Sequence, residues 1–270
     1  MTMSESRRQY AMIIGAMRSG TTSLYQMLIE HPRICPCRTK EPQFFCKEQT
    51  VAYEDLWEYD EDRHVYSLEA STNYTKHPMV SGVPDRIHAY GLKPKFIYLV
   101  RDPIDRIESQ YNFMVNNRGV HAEEFKETRI VANSMYYMQL QQFLQVFPDR
   151  DQYLILDFDT LISEPTTVVA ACMEFLGLEP PKEISEKASN RTATTVSDVL
   201  IQRTGTMKNK VGRLLSDEMR TRIKRWLRHL TPSVERHIDS AERKRLQSLL
   251  RHDIEKFGAT FDVNVSKWGF

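Results

Sequence analysis

The chain has 270 residues, 41% of them hydrophobic and 27% charged, with a formal net charge of +1. Such length and usage fit one globular domain over residues 1–270 and exclude global disorder or a collagen-like repeat, while near-neutral charge argues against a protein built to hold nucleic acid. No stretch approaches the roughly 20 apolar residues of a membrane span, and Met1 to Gln9 is polar without a signal-peptide core, which predicts a cytoplasmic location.

In chain order, Tyr10 to Ile14 is a short apolar run that stops at Gly15. After a small polar loop, Leu24, Met27 and Leu28 follow helical spacing, so strand, loop and helix are predicted. Cys35, Cys37 and Cys46 sit together and Cys172 far away; this spacing suits neither a disulfide scaffold nor a tetrahedral zinc set, and no metal is expected. Lys95 to Val100 is a second strand, stopped by Arg101-Asp102-Pro103 and followed by a helix from Ile104 to Asn116. A helix over Ser134 to Phe147 precedes a third strand, Gln152 to Phe158, and a helix from Thr167 to Leu176 that Gly177 closes. Residues 182–215 read as a mobile loop or lid, and Ser216 to His229 and Ser240 to Phe257 as helices with basic faces. From Arg203 to Lys256 the net charge is +8, leaving −7 for the rest. Trp268 is expected to dock on the core. Strands alternating with helices imply an α/β fold: a P-loop-like three-layer α/β/α arrangement with a mostly parallel central sheet.

Gly15-Ala-Met-Arg18-Ser19-Gly20-Thr21-Thr22 stands where a phosphate-binding loop belongs, since glycines admit close backbone approach and the next helix aims free N–H groups at an anion. Its glycine spacing is that of a nucleoside-triphosphatase loop, yet Thr21 occupies the place of that motif's Lys. A P-loop nucleotide kinase is therefore the weaker reading, beside a nucleotide-binding module without catalysis. In the second loop, Arg101 and Ser109 could clamp one phosphate from two sides; equally, Arg101 could pair with Asp102 or Asp105 while Ser109 faces solvent.

Taken together, GAMRSGTTSL and, about 85 residues on, LVRDPIDRIESQY resemble the sulfotransferase family. The similarity extends to Lys40-Glu41-Pro-Gln-Phe44-Phe45, to Glu69-Ala-Ser71-Thr-Asn-Tyr74 and to Pro84-Asp-Arg86-Ile, segments similar to those of the heparan-sulfate-type branch. YLILDFDTLISEP and DIEKFGATFDVNVSKW resemble later parts of the family. The resemblance implies 3′-phosphoadenosine 5′-phosphosulfate as donor, 3′-phosphoadenosine 5′-phosphate as product, and no metal. It places Arg18, Ser19, Gly20, Thr21, Thr22 and Ser23 on the 5′-phosphosulfate, with Arg18 also stabilising the leaving phosphate, and Arg101 and Ser109 on the 3′-phosphate.

Glu41 would be the base, desolvated by Phe44 and Phe45, in competition with a His such as His31, which otherwise reads as a helix-end cap. Lys208, Lys210, Gly212 and Arg213 would close over the nucleotide. Phe45, Tyr74 and Tyr136 are candidates for the acceptor side. Arg18 stands where many members have Lys, and Ala70 where glycosaminoglycan-modifying members often have Lys. With near-neutral charge, this favours a small metabolite or neutral glycan as acceptor over a long polyanion.

Overall fold

Apolar runs that end in turn residues build the middle of a parallel sheet. In the computed structural model, which describes residues 8–118, 127–180 and 237–270, β1 (Gln9–Gly15) leads to α1 (Thr21–Leu28), β2 (Ile34–Pro36) and β3 (Tyr66–Ala70). Then come α2 (Val83–Ala89), β4 (Lys95–Val100), α3 (Pro103–Arg118), α4 (Glu127–Ala132) and α5 (Tyr136–Val146). Last are β5 (Tyr153–Asp157), α6 (Phe158–Ser163), α7 (Pro165–Leu176) and α8 (Ser240–Phe261). The strand order is β2-β3-β1-β4-β5, and every pairing is parallel.

A parallel sheet is covered on both faces, so its strands need apolar residues at successive positions, and the strand period of two divides them between two cores. Met12, Ile14, Phe96, Tyr98 and Val100 face α5 and α8 through Leu140, Phe143, Leu250, Ile254 and Phe257. Ala11, Ile13, Ile97 and Leu99 face α1 and α7 through Leu24, Leu28, Val169 and Met173. The three-layer expectation holds, and the predicted strands and helices recur with shifted ends. β2 and β3 are additions: β2 has three residues, and β3 carries Ser67 and Glu69 inside it, which breaks the apolar run. The predicted lid over 182–215, with Lys208, Lys210, Gly212 and Arg213, and the helix over Ser216 to His229 lie outside the described residues.

Topology sets the place of the site. The chain leaving β1 crosses toward β2 on one side of the sheet, whereas the chain leaving β4 crosses toward β5 on the other. A crevice therefore opens at the carboxyl ends of β1 and β4, where open α/β sheets bind ligands. Arg106 of α3 fixes its floor. This fully buried guanidinium donates to Ser134 Oγ (2.6 Å), Gln110 Oε1 (2.6 Å), the Ile130 carbonyl (2.6 Å) and the Met17 carbonyl (3.3 Å). One side chain thus ties the loop after β1 to α3, to α4 and to the turn before α5, and burial holds its pKa below the ordinary guanidinium value.

Candidate active site

The loops after β1, β3, β4 and β5, with the segment after β2, surround a cleft of about 320 Å³. Gly20, in the left-handed region at φ 84°, precedes α1 and offers no side chain to cap its first N–H groups, and Gly20, Thr21, Thr22 and Ser23 at this helix end line the cleft. An added Cβ there would lie 2.9 Å from Leu161 and 3.0 Å from Phe158. Gly15 has a different role from the one its loop position suggests. A Cβ at Gly15 would come within 2.2 Å of Thr75 Oγ1 and 2.6 Å of the Tyr98 ring, so this glycine makes room for core side chains and not for a ligand.

Ser19 is fully buried, and its Oγ has no hydrogen-bond partner among the described residues. Thr21 and Ser23 are also buried, and Thr22 is exposed. Beside them, Arg18 stands at φ 70°, donates from Nε to Ser109 Oγ (3.2 Å) and lies 4.6 Å over the Phe113 ring. The Arg101 guanidinium lies 4.7 Å over Phe158. Burial lowers the pKa of Arg18, and the Arg101 charge lowers it further. Neither guanidinium has an ion-pair partner among the described residues. Two cations and a helix N-terminus line one space, and an anion is the ligand that satisfies all of them.

The alternative pairing of Arg101 is overturned. Asp102 and Asp105 both bind Arg243 of α8, Asp105 at 2.9 Å, while Asp102 Oδ1 accepts from the Ile104 (2.8 Å) and Asp105 (3.2 Å) amides at the start of α3. Ser109 faces Arg18 and the cleft, not solvent.

Across the cleft, Glu41 Oε1 accepts from Lys40 Nζ (3.1 Å) and, weakly, from Thr72 Oγ1 (3.4 Å), with its side chain 32% exposed. Asn73 donates to Gln43 Oε1 (2.6 Å), and Lys76 donates to Asn73 Oδ1. Gln43, Thr72, Asn73, Lys76, Phe113 and Phe158 line the cleft without having been singled out from the sequence. They come from four separate stretches of the chain, Phe113 from α3 and Phe158 from the start of α6, and no local signal marks them.

Three expected acceptor contacts are corrected. Phe45 and Tyr74 are each 2% exposed and Tyr136 fully buried. Tyr136 donates its hydroxyl to the Arg101 carbonyl (2.7 Å) and so holds that loop from behind. Phe44 and Phe45 turn toward Tyr53, at centroid distances of 4.9 and 4.7 Å, and do not enclose the Glu41 carboxylate. His31 is buried just beyond α1, with Nδ1 accepting from the Arg33 amide (3.1 Å) and Nε2 against the Glu179 carbonyl (3.0 Å); the ring bonds none of α1's own carbonyls and does not line the cleft.

Residues 8–250 match the family model described as "Sulfotransferase domain". The chain belongs to that family. It is 26% identical over 190 residues to heparan sulfate glucosamine 3-O-sulfotransferase 5 of Mus musculus, an alignment covering 63% of this chain and 54% of that protein. It is 27% identical over 203 residues to the bifunctional heparan sulfate N-deacetylase/N-sulfotransferase 3 of Homo sapiens, covering 65% and 23% respectively. The chain thus spans about half the length of the 3-O-sulfotransferase relative. A crystal structure of a sulfotransferase from Alicyclobacillus acidocaldarius shares the fold, with a TM-score of 0.65 at 20% identity over 97% of this chain and 99% of that one. No helix among the described residues is long and apolar enough to cross a membrane.

Proposed function

We propose that the cleft binds 3′-phosphoadenosine 5′-phosphosulfate and that the protein transfers its sulfuryl group to a hydroxyl or amine of a small metabolite or glycan. The observation that carries this reading is the convergence of Arg18 and Arg101 without a carboxylate between them. A ligand with phosphate at both ends of its ribose supplies the negative charge that this pair of guanidinium groups calls for. Ser19, Thr21, Thr22, Ser23 and the α1 N-terminus hold the 5′-phosphate. Arg101 and Ser109 hold the 3′-phosphate, with Arg18 between the two loops. Glu41 takes the acceptor proton as the acceptor atom bonds to sulfur and the bond from sulfur to the bridging phosphate oxygen breaks, the electron pair leaving with 3′-phosphoadenosine 5′-phosphate. Gln43, Asn73 and Lys76 give the acceptor side a hydrogen-bonding wall, which suits a hydroxylated substrate.

The test is a titration followed by the heat-unfolding midpoint, since a ligand of the native state raises it. 3′-Phosphoadenosine 5′-phosphate should raise it strongly and adenosine 5′-phosphate hardly at all. Equal or absent shifts would withdraw the donor assignment. Glu41→Gln should slow sulfate transfer about 10²- to 10⁴-fold with the nucleotide shift intact; a full transfer rate would withdraw Glu41 as base.

A further inference from the structure

Glu41 and Gln43 both occupy the left-handed region, at φ 58° and 53°, and Pro42 lies between them. L residues disfavour that conformation, and a residue before proline is restricted further. Such a segment keeps its shape only when its surroundings hold it there.

The holding groups are hydroxyls. The Gln43 amide donates to Ser71 Oγ (3.0 Å) and the Phe45 amide to the Tyr74 hydroxyl (3.3 Å). Each hydroxyl has one hydrogen, and both give it to Glu69: Ser71 to Oε2 at 2.8 Å, Tyr74 to Oε1 at 3.0 Å. The Tyr53 hydroxyl reaches Oε1 as well, at 2.5 Å. Glu69 lies inside β3, fully buried, and takes no part in the chemistry proposed above. Three donors around one carboxyl match an acceptor-only group. By collecting the hydroxyl hydrogens, the carboxylate leaves the oxygens of Ser71 and Tyr74 free to accept from the Glu41–Phe45 backbone.

Resting on the reading of Glu41 as base, we infer that Glu69 is a positioning residue: through Ser71 and Tyr74 it fixes the backbone that aims the Glu41 carboxylate into the cleft. Burial raises the Glu69 pKa while its three hydroxyl partners oppose the rise. Glu69→Gln keeps the shape but presents amide hydrogens where hydroxyl hydrogens must go. At least one hydroxyl then turns, and its oxygen stops accepting from the segment.

Transfer rates are measured for Glu69→Gln, Ser71→Ala, Glu41→Gln and the two double variants with Glu41→Gln, alongside the shift in unfolding midpoint with 3′-phosphoadenosine 5′-phosphate. Glu69→Gln should lower kcat about 10- to 100-fold with the nucleotide shift unchanged, and Ser71→Ala should lower it less. Each double variant should be no slower than Glu41→Gln alone, because the positioning acts only through that carboxylate. Should Glu69→Gln fail to fold, Ser71→Ala and its double decide the matter, since they leave Glu69 in place with two donors. Wild-type kcat in the single variants, or losses that multiply in the doubles while Glu41→Gln is itself slow, would overturn the inference. A full rate in Glu41→Gln would overturn it differently, by removing the base on which it rests.

Discussion

A buried hydroxyl without a hydrogen-bond partner costs about 1–3 kcal/mol, and the Ser19 hydroxyl has none among the described residues. Ser19→Ala is therefore expected to leave stability unchanged or slightly raised in urea unfolding. Its nucleotide affinity should fall about 10- to 100-fold, because a hydrogen bond to a charged oxygen contributes roughly 1.5–3 kcal/mol. An equal loss in both measurements would mean that the hydroxyl serves the fold. At this scale, legibility in the sequence follows locality. Arg18 and Arg101 are readable because each sits in a short run between a strand and a helix, and Ser109 because it lies within the second turn of the helix that follows Arg101. Phe45, Tyr74 and Tyr136 mislead because an aromatic beside a loop has two possible faces, and only packing turns it inward. Gln43, Asn73 and Lys76 become neighbours through β2 and β3, which place separate loops at one end of the sheet.

Helices here are held by one another's side chains. Met135, the residue before α5, provides no side-chain cap; instead Asp253 of α8 accepts from the Tyr137 (3.0 Å) and Met138 (2.8 Å) amides. Burial pushes the Asp253 pKa up to about 6 from an ordinary 3.8. The folded form thus binds a proton more tightly than the unfolded chain does, so this contribution is present below about pH 4 and lost as pH rises through about 6, on the order of 3 kcal/mol in all. Wild type should accordingly lose stability relative to Asp253→Asn between pH 4.5 and 7. Unfolding midpoints of both proteins at the two values check this, and a gap independent of pH would contradict it. β1, β4 and β5 were legible as apolar runs because sheet burial on both faces demands them. β3 was not, because Glu69 and Ser67 interrupt it and find their partners, Tyr53 and Arg8, in segments distant along the chain.

For the molecule as a whole, α8 completes the core. Leu250, Ile254, Phe257 and Phe261 are all buried against the sheet side that α5 shares, and Arg243 ties the helix to the start of α3. At roughly 1.5–3 kcal/mol for each large apolar side chain, these four match the entire net stability of a typical domain, about 5–15 kcal/mol. A chain ending at residue 236 should therefore show neither a cooperative thermal transition nor a nucleotide-induced shift when followed by circular dichroism; a sharp transition would contradict this. The sheet order carries one more consequence, which concerns time. β1 lies in the middle of the sheet, but its first partner, β3, begins 50 residues after β1 ends, and its other partner, β4, begins later still. At about 5–20 residues per second, a nascent chain holds this apolar strand unpaired on both edges for several seconds. β1 thus needs cover during synthesis, and a translational pause after β3 has emerged from the ribosome is safer for this protein than one before it.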